Sequence, residues 1–187
     1  KQARVASKEP LKIQRNGHSA EGRIAYTEEV SFAAGTSDPQ NVKYIKKGTM
    51  GDVLCKENRF FYQNGIVKRV DYYIYLNSTK TKVGKKLFFM EGLKPLKYEY
   101  YAMADMYDRS INLSGIDMYS YSENDGIDSR RVIEYAYDTT TRTKVQISQY
   151  VIKYEQDKPV SVKAWLLDVA TNNIIVQEEK SQKVIAE

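Results

Sequence analysis

The stretch that decides the fold is Arg69-Val70-Asp71-Tyr72-Tyr73-Ile74-Tyr75, which returns as Arg131-Val132-Ile133-Glu134-Tyr135-Ala136-Tyr137. Arg, Val and two Tyr occupy matching positions in the two copies. In the same register, Thr79-Lys80-Thr81-Lys82-Val83 matches Thr141-Arg142-Thr143-Lys144-Val145, and a third copy begins at Tyr154. An internal repeat of this kind indicates the architecture before any single residue is interpreted, although it indicates little about activity.

Tyrosine pairs spaced two residues apart recur through the middle of the chain. Side chains at positions i and i+2 of a β-strand lie on the same face, so each pair places two phenol rings side by side on a sheet. The pairs are Tyr73/Tyr75, Tyr98/Tyr100, Tyr119/Tyr121 and Tyr135/Tyr137.

Short polar turns separate the predicted strands. Asn64-Gly65 is the strongest hairpin signal because both residues tolerate positive φ, and we expect it to link 60–62 to 66–75. Turns of two to five residues join antiparallel neighbours. The sequence therefore predicts an all-β fold: an antiparallel β-meander of repeated hairpins with roughly ten strands, curled or closed into a partial barrel.

The chain is expected to hold one main domain. Its 187 residues suit a single domain with a substantial core. Residues 1–22 are polar and lack periodicity, which predicts an irregular N-terminal segment. A single β-repeat domain is predicted over 23–187, interrupted at 102–110 by a short helix or a loop insertion.

Composition limits the function classes. The formal charge of +5 is scattered in doublets (Lys46-Lys47, Lys85-Lys86 and Arg130-Arg131), which disfavours nucleic-acid binding. No apolar run approaches the roughly 20 residues of a membrane-spanning helix. The single cysteine, Cys55, leaves no internal disulfide framework. Because the chain begins with Lys1, we expect a processed or trimmed form; a removed signal peptide would fit, and a lipid anchor stays open.

Three segments carry a resemblance to known repeats: Tyr62-Gln63-Asn64-Gly65, Tyr135-Ala136-Tyr137-Asp138 and Trp165-Leu166-Leu167-Asp168. The hairpins over 60–180 resemble tyrosine-aspartate (YD-like) repeats, and resemble more closely the uncharacterised secreted β-repeat proteins of gut anaerobic bacteria. The regular Gly-Arg that follows the turn of a YD repeat is missing. The resemblance implies a secreted, periplasmic or envelope-associated protein without known catalysis.

Candidate nucleophiles and metal ligands are sparse. The one histidine, His18, lies in the polar N-terminal stretch, where a solvent-exposed position is the simplest interpretation. Cys55 follows Val53-Leu54, so we expect a buried, unreactive thiol, with a reactive thiol as the alternative. The segment Glu123-Asn124-Asp125-Gly126-Ile127-Asp128 is similar to a calcium loop, but Tyr121 and Val132 stand where ligands are required, which favours a hairpin turn.

Paired carboxylates are the remaining catalytic option. Asp105 and Asp108 lie in the interruption, and Glu28 and Glu29 lie on opposite faces of a predicted strand. Chance alone places acidic residues in pairs in this chain, so they give no support to glycoside hydrolysis. We therefore expect no enzyme and no cofactor.

The aromatic side chains are the unusual chemistry of this sequence, and two interpretations are open. They form a platform for sugars or peptides, or they pack across strands and hold the sheet together. The binding candidates are Tyr73, Tyr75, Tyr98, Tyr100, Tyr135, Tyr137 and Trp165. If packing dominates, Tyr73, Tyr135 and Trp165 occupy equivalent positions on one face, and Trp165→Ala costs about 3 to 5 kcal/mol, as for a buried aromatic.

The predicted function is a secreted or envelope-associated, non-catalytic module that binds an unknown partner, either a protein or a glycan. The alternative is a half-barrel or barrel that carries an apolar ligand. A carrier needs a contiguous apolar concavity and would bind an environment-sensitive dye at one site, whereas an enzyme would need convergent ionisable groups.

Folding is expected to be independent of metal ions, because the sequence contains no cluster of ligands. The melting temperature of the protein should be the same with and without EDTA. A fall of many degrees on adding EDTA would show that the protein contains a structural metal site.

Overall fold

A computed structural model describes residues 11–104, 107, 109–138, 140–168, 171 and 173–181. All regular structure in this part of the chain is β-strand. The strands are β1 (Lys12–His18), β2 (Ile24–Phe32), β3 (Pro39–Lys46), β4 (Val53–Gln63), β5 (Ile66–Leu76), β6 (Thr79–Glu91), β7 (Lys94–Met103), β8 (Ile111–Tyr121), β9 (Ile127–Asp138), β10 (Thr143–Glu155), β11 (Lys158–Leu167) and β12 (Ile174–Ser181). No helix in the described residues is long and apolar enough to cross a membrane.

The strands follow one another in the sheet in chain order, with β1 and β12 at its two ends. Neighbouring strands pair antiparallel, as the short turns require. The predicted all-β antiparallel meander is therefore confirmed, with twelve strands in place of roughly ten.

The chain divides into two compact units, with unit 1 ending at Val83 and unit 2 beginning at Gly84. The boundary falls inside β6, so it does not coincide with a linker of distinct composition. The sequence predicted one domain over 23–187, because the repeat runs through this point without a change of pattern.

Part of the N-terminal segment is ordered, contrary to the prediction that 1–22 is irregular. Residues Lys12–His18 form β1, which pairs with β2 from Lys12↔Ser31 to Gly17↔Tyr26. An end strand with exposed side chains needs no apolar alternation, so the polar sequence of β1 did not predict a strand. The strand is formed by backbone hydrogen bonds to β2.

Two-residue turns with positive φ at both positions close three of the hairpins. Asn64 and Gly65 have φ of 53° and 74°, and Gln63 pairs with Ile66 across the turn. Asn77-Ser78 and Gln156-Asp157 share this conformation. It matches the right-handed twist of the flanking strands. The predicted Asn64-Gly65 hairpin is confirmed.

The interruption predicted at 102–110 begins within a strand. Ala102 and Met103 belong to β7, and β8 starts at Ile111. The backbone N–H of Ala104 donates to the carbonyl of Ser110 across the connection. The helix former Met106 lies outside the described residues.

Unit 1 has two chemically different faces. Strand register places the buried Val30, Val42 and Val70 on one side, which we call the valine face. The buried polar side chains lie on the other side, which we call the carboxylate face; they are Thr27, Glu57 and Asp71.

In unit 2 a buried acid and a buried valine share one face. Asp117 of β8 is 1% exposed and lies directly opposite Val132 of β9. Tyr98 and Tyr150 follow in the same cross-strand row. The largest fully buried side chains of the described residues are thus two acids, Glu57 and Asp117.

Replacement of Gly65 by Ala is expected to destabilise the protein by about 1 kcal/mol, because Gly65 sits at φ +74° with open space around it. The cost comes from backbone conformation and not from a clash. Gly126→Ala is the matched control: its added Cβ would meet only ordinary contacts, the nearest at 3.5 Å. Urea denaturation measures the free energy of unfolding of both variants. Equal stabilities of Gly65→Ala and Gly126→Ala would contradict the requirement for glycine at position 65.

Candidate functional site

An open cleft of about 610 Å³ lies in unit 1, mainly on the valine face. Four tyrosines, Tyr26, Tyr44, Tyr72 and Tyr73, line it together with Ile74 and Val83. These side chains come from β2, β3, β5 and β6. Pockets of this volume accommodate small ligands, although an enclosed pocket covers far more of its ligand than an open cleft does.

Cross-strand register brings the cleft residues into line. Glu28 lies opposite Tyr44, Tyr44 opposite Lys56, and Lys56 opposite Ile74. Asn58 lies opposite Tyr72 in the next row. The cleft therefore combines aromatic rings with a carboxylate, an ammonium group and an amide, which are the kinds of group that stack on polar ligands and form hydrogen bonds with them.

Tyr26 covers a glycine in the neighbouring strand. Gly17 of β1 lies opposite Tyr26, and a Cβ built on Gly17 would come within 2.1 Å of the Tyr26 ring. The ring therefore lies across the glycine backbone and is still 48% exposed. Glycine at 17 is what allows this ring position beside the cleft.

The phenols of Tyr44 and Tyr72 stay neutral at physiological pH. Burial, followed by the negative charge of Glu28, raises the pKa of Tyr44. Burial raises the pKa of Tyr72 as well. Each hydroxyl can both donate and accept a hydrogen bond in that state.

Cys55 is half-buried and lines the cleft, so the prediction of a buried thiol is wrong. It sits at a β-bulge: Tyr44 pairs with Lys56 and Ile45 with Leu54, which leaves Cys55 unpaired between them. The extra residue of a bulge is pushed out of the ladder. Apolar neighbours in sequence do not reveal a bulge.

On the carboxylate face, Glu57 is only 1% exposed and is surrounded by donors. One carboxylate oxygen accepts from Asn41 Nδ2 at 3.0 Å and Arg59 Nε at 2.7 Å. The other accepts from Lys80 Nζ at 2.5 Å and from the hydroxyl of Tyr75. Both oxygens are occupied within the protein, so this acid has a structural role.

These donors determine the protonation of Glu57. Burial alone would raise its pKa, but hydrogen bonds from Lys80, Tyr75 and Arg59 lower the pKa to about 2. Conversely, burial and the bond to Glu57 raise the pKa of Tyr75 to about 12. The pair is therefore a carboxylate and a neutral phenol over most of the pH range.

Asp117 forms a similar cluster in unit 2. Arg130 donates from Nε and Nη2 to the two carboxylate oxygens, each at 2.8 Å, and the Tyr119 hydroxyl donates at 3.2 Å. The bond to Asp117 raises the pKa of Arg130. Beside it, Gly115 opens a notch of about 310 Å³ flanked by Tyr100 and Tyr150.

The predicted aromatic residues do not form one platform. Tyr73 and Tyr75 lie on the carboxylate face, although Tyr73 also lines the cleft, and the Lys80 ammonium lies 4.3 Å from the centre of the Tyr73 ring. Tyr98 packs edge-to-face on Phe88 at 5.1 Å, with interplanar angle 67°. Edge-to-face packing is typical of structural aromatics.

Tyr98 and Tyr100 flank the same cation, since Lys86 Nζ lies 3.9 Å and 4.9 Å from the centres of their rings. Lys144 lies 4.2 Å from the ring of Tyr135. Tyr137 is half-buried on the same face of β9.

Trp165 shares a face of unit 2 with Tyr135, because Trp165 pairs with Gln149, Gln149 pairs with Ile133, and Tyr135 lies two residues beyond. Tyr73, the third residue of the predicted set, belongs to unit 1. Trp165 is half-buried, with the Lys163 ammonium 5.6 Å from its ring. The loss of about 3 to 5 kcal/mol applies to a fully buried ring, so we now expect a smaller cost for Trp165→Ala.

The other sequence candidates remain apart. His18 is exposed at the end of β1. Glu28 lies beside the cleft, and Glu29 lies on the carboxylate face, where it accepts from Gln14. Asp105 and Asp108 lie outside the described residues.

The segment 123–128 forms a hairpin turn, as predicted. The backbone N–H of Ser122 donates to the carbonyl of Gly126. Within the described ranges, no group of three His, Cys, Asp or Glu side chains is placed to hold a metal ion.

Of the four cleft tyrosines, sequence reasoning singled out Tyr73 and missed Tyr26, Tyr44 and Tyr72, because these three do not belong to a Tyr-x-Tyr pair. The sequence does contain a signal for the valine face, in the residues that alternate with the Tyr-x-Tyr pair along β5. Val70, Tyr72 and Ile74 form an apolar row that alternates with Asp71, Tyr73 and Tyr75.

Comparison with known proteins gives no family. No protein-family model matches the chain, and no curated protein matches it. Among solved structures, a protein of unknown function from Bacteroides fragilis is similar at a TM-score of 0.49 and 10% identity, over 71% of this chain and 95% of that one. A DUF3836 family protein from Parabacteroides distasonis has a TM-score of 0.32 and 13% identity, over 59% and 93%. Neither likeness supports a conclusion about function.

Replacement of Glu57 by Gln is expected to lower the free energy of unfolding at neutral pH by on the order of 2 to 3 kcal/mol, because Lys80 and Arg59 lose their counter-charge. The folded pKa of Glu57 lies below its ordinary value of 4.5. Its stabilisation is therefore complete above about 4.5 and is lost as the pH falls towards about 2. The stability gap between wild type and variant should close over that window.

Denaturant titrations at several pH values measure this gap. Glu155→Gln is the control, because Glu155 is exposed at the end of β10 and its replacement removes the same charge without removing a buried hydrogen-bond acceptor. A gap for Glu57→Gln that stays constant from pH 7 to 2 would contradict the role given to its charge.

Proposed function

We propose that this protein is a non-catalytic binding module that recognises a glycan through the cleft of unit 1. The observation that carries the proposal is the arrangement of Tyr26, Tyr44 and Tyr72 along one open cleft. A tyrosine ring offers an apolar face for a sugar ring and a polar tip for its hydroxyls.

The polar groups of the cleft support a sugar over a purely apolar ligand. Glu28, Lys56 and Asn58 lie beside the rings and provide both donors and acceptors. The neutral phenols of Tyr44 and Tyr72 add two more groups that both donate and accept. A fatty ligand would leave these groups without partners, which is costly.

The openness of the cleft separates this proposal from the carrier alternative. A carrier encloses its ligand in an apolar cavity, whereas an open cleft leaves one side of a bound chain in solvent. That geometry suits a segment of a longer polymer. A secreted, periplasmic or envelope location is part of the proposal and rests on the resemblance to secreted β-repeat proteins.

The opposite face is a poorer candidate for recognition. Its buried Glu57 already accepts from donors of the protein, and the Tyr73 and Tyr75 rings lie beside Lys80. A ligand there would compete with charge-assisted hydrogen bonds, which are the stronger kind.

The test begins with an oligosaccharide panel, followed by calorimetric titration of each positive sugar. Tyr44→Ala and Tyr72→Ala should each weaken binding by about tenfold, the order of one lost stacking interaction. Tyr137→Ala is the matched control, since it removes a half-buried tyrosine from unit 2 and should leave affinity unchanged.

Melting temperatures of the three variants show whether each is folded. Lack of binding to any sugar, or equal binding by wild type and the cleft variants, would reject the proposal. Stoichiometric binding of an environment-sensitive dye at one site, lost in Tyr72→Ala, would favour the apolar-ligand carrier instead.

A further inference from the structure

The two end strands of the sheet each have one described neighbour. β1 pairs with β2, and β12 pairs with β11. The outer edge of such a strand carries backbone N–H and C=O groups that can pair with another chain. Exposed isoleucines lie on both strands: Ile13 is 38% exposed, Ile174 55% and Ile175 58%.

The two edges carry opposite charge. β1 contains Lys12 and Arg15 and no acidic residue, and the Arg15 side chain is 70% exposed. β12 contains the adjacent acids Glu178 and Glu179 beside Lys180, and the Glu179 side chain is 63% exposed. Pairing of two β1 edges, or of two β12 edges, would bring like charges together.

Strand direction suits a head-to-tail contact. The pairs β1–β2 and β11–β12 at the two ends of the sheet are both antiparallel. The β1 strand of a second copy can add to the outer edge of β12 in the same antiparallel direction. The addition continues the ladder with the pairing already present between neighbours.

We propose that a second copy of this chain adds its β1 to β12, which forms a head-to-tail, edge-to-edge assembly. A register with Glu178 opposite Arg15 places Glu179 opposite Gln14 and diagonal to Lys12. Both ion pairs lie within reach across an antiparallel ladder.

Arg15 and Glu179 can exchange their present ion pairs for ion pairs with a second copy. Arg15 now meets Glu28 at 3.7 Å, and Glu179 meets Lys163 at 3.6 Å. Exposed pairs of this kind contribute little to stability. Their replacement by contacts to the second copy therefore costs little, and the new backbone hydrogen bonds are additional.

A contact of this type is heterologous, which means that two different surfaces meet. Heterologous contacts form open chains unless a rotation closes them into a ring. The expected species are dimers and longer oligomers that grow with protein concentration and decline at high salt, because the charge pairs are exposed.

The experiment is sedimentation velocity of the wild-type protein from micromolar to millimolar concentration, at about 50 and 500 mM salt. The double variant Glu178→Lys/Glu179→Lys should weaken association at least about tenfold, since attraction becomes repulsion. The double variant Lys12→Glu/Arg15→Glu should do the same. Each variant alone presents two edges of like sign.

Mixing the two variants is the decisive measurement. Each edge of one then meets an edge of opposite charge on the other, so association should return to about the wild-type level. Glu123→Lys/Glu155→Lys is the control, since it makes the same change of net charge at exposed positions away from both edges and should associate like wild type.

A wild-type protein that stays monomeric at low salt and millimolar concentration would overturn the proposal. So would association that survives both charge reversals, or a mixture that fails to recover although each variant melts at the wild-type temperature.

Discussion

The charge-assisted hydrogen bonds around Glu57 are the interaction on which unit 1 depends. Its buried apolar side chains are few: Val30, Val42 and Val70. A carboxylate with 1% exposure is costly unless every lone pair is satisfied. Four donors from β3, β4, β5 and β6 converge on it, so one acid ties together four consecutive strands.

This arrangement also fixes the chemistry of the two faces of unit 1. On the carboxylate face Glu57 accepts from four donors of the protein, and the Tyr73 ring covers the cationic side chains of Arg59 and Lys80. The valine face keeps its tyrosine hydroxyls and its polar rim for solvent or a ligand. The proposed recognition cleft and the Glu57 cluster therefore lie mainly on opposite sides of the same strands, whose successive side chains alternate between the two faces.

The turns and strand order could be read from the sequence because they depend on local backbone chemistry. Asn64-Gly65 specifies its own turn, and the alternation from Ile24 to Phe32 specifies a strand. The two faces could not be read in this way. Without a bulge, the Asn64-Gly65 turn would place Glu57 opposite Tyr72; a register shift between Phe61 and Tyr62 places it opposite Tyr73.

A bulge of one residue in β5 therefore decides which side chains of β5 share a face with Glu57, and the sequence around the bulge does not predict it. The same limit applies to Cys55, whose exposure follows from the bulge opposite Tyr44 and Ile45. The end strand β1 was not predicted for a different reason. It forms because its backbone pairs with β2, and this pairing requires no apolar periodicity in its side chains.

The structural role of the Tyr-x-Tyr motif depends on the charged groups around it. A buried acid in a sheet needs donors, and a lysine that reaches it needs apolar cover for its stem and a favourable surface for its ammonium group. A tyrosine supplies both a hydroxyl donor and a ring face. Tyr75 donates to Glu57, and Tyr119 donates to Asp117.

Two of the four Tyr-x-Tyr pairs thus donate a hydroxyl to a buried acid, a role that requires no ligand. In these pairs the aromatic motif helps to hold the sheet together, which explains why it repeats with the fold. The proposed binding cleft is instead lined mainly by aromatic residues in the alternate phase, where Tyr72 stands between Val70 and Ile74.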